Sequence, residues 1–153
     1  KGTGGVGNEI AFSLVERNGR VRSHHIPNVK ASTLRPILQE QIHAATTVYS
    51  DEGGARLATE FEKHGMVNHS IDEYVRGECH TNTIEGYFSI LKRGINGTYQ
   101  HVSQKHLKRY LAEFDFRYNE RAALKVTDAE RTVKALLGVV GKRMTYQGPR
   151  SAG

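Results

Sequence analysis

The sequence predicts an α/β fold in which a small mixed sheet is flanked by helices and the C-terminal half is helical. Short segments rich in β-branched and aromatic residues are confined to the first half, whereas apolar residues recur at helical spacing in the second half. The predicted order is hairpin, helix, strand, helix, short strand and then helices, which is typical of an α/β domain. A length of 153 residues suits one domain and is short for two.

Composition narrows the classes of protein to consider. No apolar stretch approaches the roughly 20 residues that a bilayer-spanning helix needs, and we expect neither a transmembrane helix nor a secretory leader. The single cysteine, Cys79, fits a reducing compartment, which predicts a cytoplasmic protein. The formal net charge of +6 makes a polyanionic partner, most often nucleic acid, more probable than for a neutral domain.

The N-terminal part predicts a β-hairpin. A glycine-rich loop is expected over the first eight residues, and an apolar strand follows over Ile10–Val15. The pair Asn18-Gly19 favours a tight type I′ turn. The chain then returns as a second strand over Val21–Ile26.

The middle of the chain predicts alternating helices and strands. Ser32 or Thr33 is expected to cap a helix that runs to about His43. Residues 46–50 are β-branched and aromatic and predict a short strand, which Asp51 and the glycines after it terminate. A helix is expected over 55–64 and another short strand over 66–69.

The C-terminal half predicts three helices. One begins near Asn82 and is interrupted by glycines, and a long amphipathic helix spans about 103–123. Thr127 and Glu130 have the spacing of a capping box that opens a last helix toward Leu137. We expect residues 1–146 to form one domain and 147–153 a disordered tail.

Two acidic residues and a lysine form the candidate site. Asp51 lies where a predicted strand ends, a position at which α/β sheets often hold functional carboxylates, although an Asp before glycines is also a common turn former. Asn82 and Glu85 have the spacing of a simple capping box. Lys92 lies seven residues after Glu85, which places both side chains on one helix stripe about 10 Å apart. A carboxylate and a lysine so placed suit a metal ion beside a bound phosphodiester.

The same residues resemble a known family. Asp51 and Glu85 are separated by 33 residues, and Glu85 and Lys92 by six. These three residues and their spacing resemble the second acid, the third acid and the trailing lysine of DDE transposases. Longer segments are similar to the bacterial insertion-sequence transposases of the branch related to Merlin elements, from about residue 8 to residue 142. These segments include VYSDE at 48–52, HTNTIEG at 80–86, LKRGI at 91–95 and FRYN at 116–119.

The resemblance implies a ribonuclease-H-like fold that cleaves DNA and transfers strands by two-metal phosphodiester chemistry. Mg²⁺ would be the cofactor, with Mn²⁺ as a substitute. Asp51 and Glu85 would be catalytic metal ligands, with Asn82 as the alternative third ligand, and Lys92 would contact the transposon-end phosphate. Partners would be transposon-end and target DNA and further copies of the chain, in the bacterial nucleoid and away from membranes. The expected DNA-binding residues are Lys92, Arg93, Lys105, Lys108 and Arg109.

One departure from the family pattern leads to a further expectation. The family's first acid lies on a strand before the hairpin, within a segment similar to Asp-Glu-Thr-Tyr, and these 153 residues hold no such segment. We therefore expect a C-terminal part of the catalytic domain that lacks the first strand and is inactive alone. The alternative is a non-catalytic DNA-binding or interaction remnant of a decayed transposase.

Overall fold

The computed structural model describes residues 9–50, 61, 63–66, 75–76, 79–80 and 82–142. The glycine-rich start, Asp51 with the glycines after it, the predicted helix over 55–60 and the predicted tail lie outside these residues. The chain divides into two compact units, Lys1–Asn119 and Glu120–Gly153. Each unit is described by itself below.

The predicted hairpin is confirmed. Strand β1 (Ile10–Val15) pairs antiparallel with β2 (Val21–Ile26), and the register places Val15 opposite Val21. Val21 and Ile26 are buried, so the two ends of β2 anchor the hairpin on the core.

The turn of the hairpin differs from the predicted type I′. That turn needs positive φ at both central residues, but of Asn18 and Gly19 only Asn18 has one, at +56°. The Glu16 amide donates to the Arg20 carbonyl at 2.8 Å, so three residues connect the closing pair instead of two. A Cβ at Gly19 would meet the Glu16 carboxylate, but that exposed side chain is free to move away, so the turn does not require glycine at this position.

Helix α1 (Ala31–Gln41) begins and ends slightly before its predicted bounds. Its N-cap is Lys30 and not Ser32 or Thr33, and no side chain caps it. Asn28 organises this start instead, since its Oδ1 accepts from the Lys30 amide at 3.0 Å and from Thr33 Oγ1 at 2.8 Å.

The short strands are only partly as predicted. β3 (Thr47–Ser50) is confirmed and pairs in parallel with β4 (Lys63–Met66). Lys63 and His64 therefore belong to a strand and not to the end of a helix, and β4 begins three residues before its predicted start. The sequence KHGM has little strand propensity, so pairing with β3 imposes its conformation. Two further strands, β5 (Val75–Arg76) and β6 (Cys79–His80), pair antiparallel and were not predicted.

The helical half is confirmed, with a shorter central helix than predicted. It consists of α2 (Asn82–Gly94), a π-helical segment (Ile95–Tyr99) and α3 (Gln104–Asn119), followed in the second unit by a 3₁₀ turn (Ala122–Leu124) and α4 (Asp128–Leu137). The predicted helix over 103–123 ends at Asn119, whose side chain bonds the backbone of Val21: Oδ1 accepts at 2.7 Å and Nδ2 donates at 2.9 Å. The capping box at Thr127 and Glu130 is present as predicted.

The core of the first unit lies where α2 and α3 pack against the hairpin. Its buried members are Val21, Tyr87, Leu91, Leu107, Leu111 and Phe114. Tyr99 packs edge-on against Phe114, with ring centroids 6.2 Å apart, so the π-helical segment also contributes to this packing.

Polar side chains of α3 complete the outer edge of β2. Asp115 accepts from the Ser23 amide and from Ser23 Oγ, both at 2.7 Å, and from the Tyr87 hydroxyl at 2.6 Å. Asp115 and Asn119 together bond the Ser23 amide and both backbone groups of Val21, which a further strand would otherwise bond. Helix α3 therefore covers this part of the hairpin edge.

The architecture is mixed α/β with small sheets, and the predicted single mixed sheet is not seen among the described residues. They form three two-stranded sheets, because none of them bridges β1 and β3. Within the same residues, every helix is too short or too polar to cross a bilayer.

Candidate functional site

Glu85 and Lys92 lie on one groove along α2, as the seven-residue spacing predicts. The groove has a volume of about 690 Å³, and its lining residues are Glu85, Phe88, Ser89, Lys92, Arg93, Asn96 and Gly97. The buried side chains of α2, Tyr87 and Leu91, hold the helix on the core, so its charged stripe is exposed. The groove presents a carboxylate at one end and two cations toward the other.

The charges on α2 also suit the helix itself. Glu85 lies in the first turn, and Lys92 and Arg93 lie in the last turn, which is the favourable arrangement for the helix macrodipole. Asn82 is the first helical residue and is exposed beside Glu85. The macrodipole explains the order of these charges, and the seven-residue spacing places Glu85 and Lys92 on the face that lines the groove.

A second cavity brings β3 close to the start of α2. It has a volume of about 680 Å³ and is bordered by Val48 and Tyr49 of β3, by Ser13 and Val15 of β1 and by Thr83 of α2, among other residues. Asp51 lies outside the described residues, and the chain position before it, Ser50, ends β3. Val48 and Tyr49, which shortly precede Asp51, and Thr83 and Ile84, which lie between Asn82 and Glu85, thus border one cavity.

The five expected DNA-binding cations are exposed and form no ion pair within the described part of the chain. Lys105, Lys108 and Arg109 lie at i, i+3 and i+4 on α3 and therefore share one helix face. Arg117 of the same helix is different, because it pairs with Glu113 at 2.7 Å. Among the described residues, no acid pairs with Lys105, Lys108 or Arg109 on this face.

The oxygen donors at the start of α2 fit a hard divalent cation. The Glu85 carboxylate and the Asn82 amide are exposed there, and these are ligand types that Mg²⁺ accepts. Glu85 lines the groove that also holds Lys92, whereas Asn82 does not. Within the described ranges, no group of three or more His, Cys, Asp or Glu residues is positioned to hold a metal.

Sequence reasoning missed the part of the groove beyond Lys92. Asn96 and Gly97 belong to the π-helical segment, and such segments frequently occur at functional sites. The glycines at 94 and 97 predicted an interruption of the helix. They did not predict that the residues after the interruption line the same groove as Glu85 and Lys92. Phe88 supplies an apolar side chain between the carboxylate and the cations.

Comparison with known proteins identifies the family. The profile of the ISXO2-like transposase domain matches residues 1–119, and the chain therefore belongs to this transposase family. It is 26% identical over 96 residues to a Haemophilus influenzae protein described as an uncharacterized transposase-like protein, covering 61% of this chain and 76% of that protein. It is 32% identical over 114 residues to a Halobacterium salinarum protein described as an uncharacterized protein in transposable element ISH50, covering 69% of this chain and 37% of that protein. No solved structure matches.

Membership of this family makes transposition the general function and DNA the implied partner. It also places the chain among proteins that generally use divalent metals. The sequence prediction of an insertion-sequence transposase is thereby confirmed.

Proposed function

We propose that this chain forms a DDE-type catalytic domain that cleaves and joins insertion-sequence DNA, in the branch related to Merlin elements. The observation that carries the proposal is the α2 groove, in which Glu85 and Lys92 lie two helical turns apart on one face. Asp51 and Glu85 hold the divalent ion, Mg²⁺ or in its place Mn²⁺, with Asn82 as the alternative to Glu85. Lys92 binds the phosphate at the transposon end.

The chain's own residues position the DNA strand. The ammonium group of Lys92 neutralises a phosphate beside the acidic ligands, and Arg93 extends the positive surface along the groove. The cations of α3 hold the duplex through its backbone, which carries no base specificity. When bound, the divalent ions stabilise charge at the attacking and leaving oxygens of the phosphodiester.

We further propose that the two larger sheets belong to one ribonuclease-H-like sheet. Because Glu16 and Arg20 form a hydrogen-bonded pair, Ala11, Ser13 and Val15 direct their backbone groups away from β2. β3 pairs with β4 alone among the described strands, and the 680 Å³ cavity lies between β1 and β3. A strand in this cavity would join β1 and β3 into the mixed sheet that the sequence predicts.

The metal-ligand assignment is tested by affinity cleavage with Fe²⁺ in place of Mg²⁺. Fe²⁺, ascorbate and peroxide generate radicals that cut the polypeptide beside the bound ion, a readout that does not require turnover. We expect cuts near Asp51 and near Asn82 to Glu85, which excess Mg²⁺ suppresses. Glu85→Gln should abolish both cuts, whereas the control Glu40→Gln, which changes an exposed acid of α1, should leave them unchanged.

The possible outcomes separate the alternatives. Cuts that survive in Glu85→Gln but disappear in Asn82→Ala would move the third-ligand role to Asn82. Cuts confined to one of the two segments would contradict a site shared by Asp51 and α2. DNA binding without any metal-directed cut would favour the non-catalytic remnant.

A further inference from the structure

The α2 groove contains an aromatic side chain to which the proposed metal and phosphate contacts give no role. Phe88 lies one turn after Glu85 and one turn before Lys92, and of the described residues that line the groove it alone is aromatic. It is half-buried, because part of it packs against the core of the first unit. The part that lines the groove is an apolar surface between a carboxylate and two cations.

The ring of Phe88 is held in place by its neighbours. Its centroid lies 5.7 Å from that of Tyr87, and the two ring planes are tilted by 59°. Tyr87 is itself fixed, since it is 1% exposed and its hydroxyl donates to Asp115 at 2.6 Å. A ligand that contacts Phe88 therefore meets a side chain that has little freedom left to lose on binding.

The groove around Phe88 has the room and the polar groups that a nucleotide needs. Its volume of about 690 Å³ lies within the roughly 300–1,000 Å³ range of sites that hold small organic molecules. Ser89 and Asn96 bring an exposed hydroxyl and an exposed amide to the groove, and both groups hydrogen-bond to polar edges such as those of bases. The wall is open at Gly97, where a Cβ would meet nothing within 4 Å.

We propose that Phe88 stacks an unpaired base of the DNA strand whose phosphate Lys92 binds, so that the groove holds single-stranded and not duplex DNA. An aromatic ring beside cations is how proteins hold single strands, because every base has an aromatic face and every nucleotide a phosphate. Within a duplex, neighbouring bases cover both faces of each base, so only an unstacked base reaches the ring. The inference rests on the proposed function, which puts DNA in this groove.

Phe88 is then a positioning residue for the strand. It lies within about 6 Å of both Glu85 and Lys92 along the helix axis. A base stacked on its ring therefore fixes the nucleotide between the carboxylate and the ammonium group. The stacking contact does not depend on the identity of the base, so it adds affinity for an unpaired end without adding sequence preference.

The test compares two labelled duplexes that differ only in the bases of a short unpaired extension at one end. One extension carries its bases and the other is abasic, so both probes present the same phosphates. Fluorescence anisotropy with the full chain, without divalent ions so that no strand is cut, gives both affinities. We expect the wild type to bind the extension with bases roughly 5- to 150-fold more tightly, which is the range for one stacked base.

Phe88→Leu tests the ring, because leucine keeps an apolar contact with the core but offers no face for stacking. We expect this variant to bind the two probes equally, whereas Phe88→Trp should keep the preference. Phe12→Leu is the matched control, since it replaces a half-buried phenylalanine of β1 that does not line the groove. It should keep the wild-type preference. Circular dichroism confirms that each variant keeps its helices.

Gly97→Leu tests the groove while Phe88 stays intact. Because no protein atom lies within 4 Å of the new Cβ, the side chain fits the fold and occupies the groove, and the preference for bases should fall. Gly86→Leu adds the same side chain to α2 at another open position, which does not line the groove. This control should keep the preference.

The outcomes separate this inference from the proposed function. Equal binding of the two probes by a wild type that still binds duplex DNA would overturn the stacking role and leave the proposed function intact. A preference that persists unchanged in Phe88→Leu would also overturn it. A wild type that binds no DNA would contradict the proposed function and this inference together.

Discussion

Tyr87 shows how one side chain connects three elements. It is almost fully buried on α2, and its hydroxyl donates to Asp115 of α3, which also holds Ser23 of β2. Tyr87→Phe removes this donor from the half-buried Asp115 carboxylate, and we expect it to lower the free energy of unfolding by about 1–3 kcal/mol. Urea denaturation measures the loss. Tyr110→Phe is the control, because the Tyr110 hydroxyl forms no hydrogen bond with another described residue, and it should change the stability little.

The same tyrosine predicts a loss of stability at alkaline pH. Burial, and then the hydrogen bond to Asp115, raise the pKa of Tyr87 well above its ordinary value of about 10. The unfolded chain therefore releases this proton first, so stability present below pH 10 declines as the pH rises. The loss from one such group is at most about 1.4 kcal/mol per pH unit.

The measurement is stability against pH from 9 upward for the wild type and Tyr87→Phe. Tyr99 also has a raised pKa, mainly because it donates to Glu113, so the wild type contains a second contribution. The difference between the two proteins isolates Tyr87. If both proteins lose stability in parallel above pH 10, Tyr87 is not the group responsible.

At the scale of elements, Gly94 controls how closely α2 approaches α3. A Cβ at this position would overlap the Phe114 ring, which is part of the core. Gly94→Ala should therefore destabilise the protein by about 1–3 kcal/mol, although alanine is the better helix former. Gly86→Ala, in the same helix, meets nothing within 4 Å and should be neutral or stabilising. Thermal unfolding of both variants checks the contrast.

A double variant separates steric overlap from backbone effects in that experiment. Gly94→Ala combined with Phe114→Leu removes the ring edge that the new methyl group meets. The combined loss should then be smaller than the sum of the two single losses. Strict additivity would show that the methyl group and the ring do not meet.

Elements whose signals are local were predictable from the sequence, and elements that depend on distant partners were not. The hairpin and the capping box at Thr127 and Glu130 follow from neighbouring residues, and both are confirmed. β4 has the composition of a loop and becomes a strand only beside β3. The end of α3 depends on the bonds of Asn119 to Val21, a residue 98 positions away.

At the scale of the whole molecule, the candidate site was predictable in the part that one helix determines. The spacing from Glu85 to Lys92 is a property of α2 alone, and both residues line one groove. Whether Asp51 lies close to that helix depends on how the sheets pack, which no short stretch of sequence specifies. The proximity of Asp51 to α2 therefore stays a prediction. That the five basic residues form no ion pair with the described acids was not predictable either, since it depends on where those acids lie in the fold.

The exposed basic residues of α2 and α3 lead to a prediction about DNA binding by the whole chain. We expect binding to duplex DNA with little sequence preference and with an affinity that falls steeply as salt rises, because bound phosphates release counterions. The triple variant Lys105→Gln/Lys108→Gln/Arg109→Gln removes three cations that share one face of α3. If each contacts a phosphate, the slope of log affinity against log salt should become shallower by about 2.7.

A matched variant distinguishes a defined DNA surface from net charge. Lys30→Gln/Lys125→Gln/Lys142→Gln removes the same three charges from exposed positions off α3. Under the proposed arrangement this control keeps most of the wild-type slope, measured by fluorescence anisotropy of a labelled duplex. Equal changes in the two triple variants would show that overall charge, and not the face of α3, governs binding. A slope near zero in the wild type would contradict phosphate contact altogether, since each contact contributes about 0.9 to the slope.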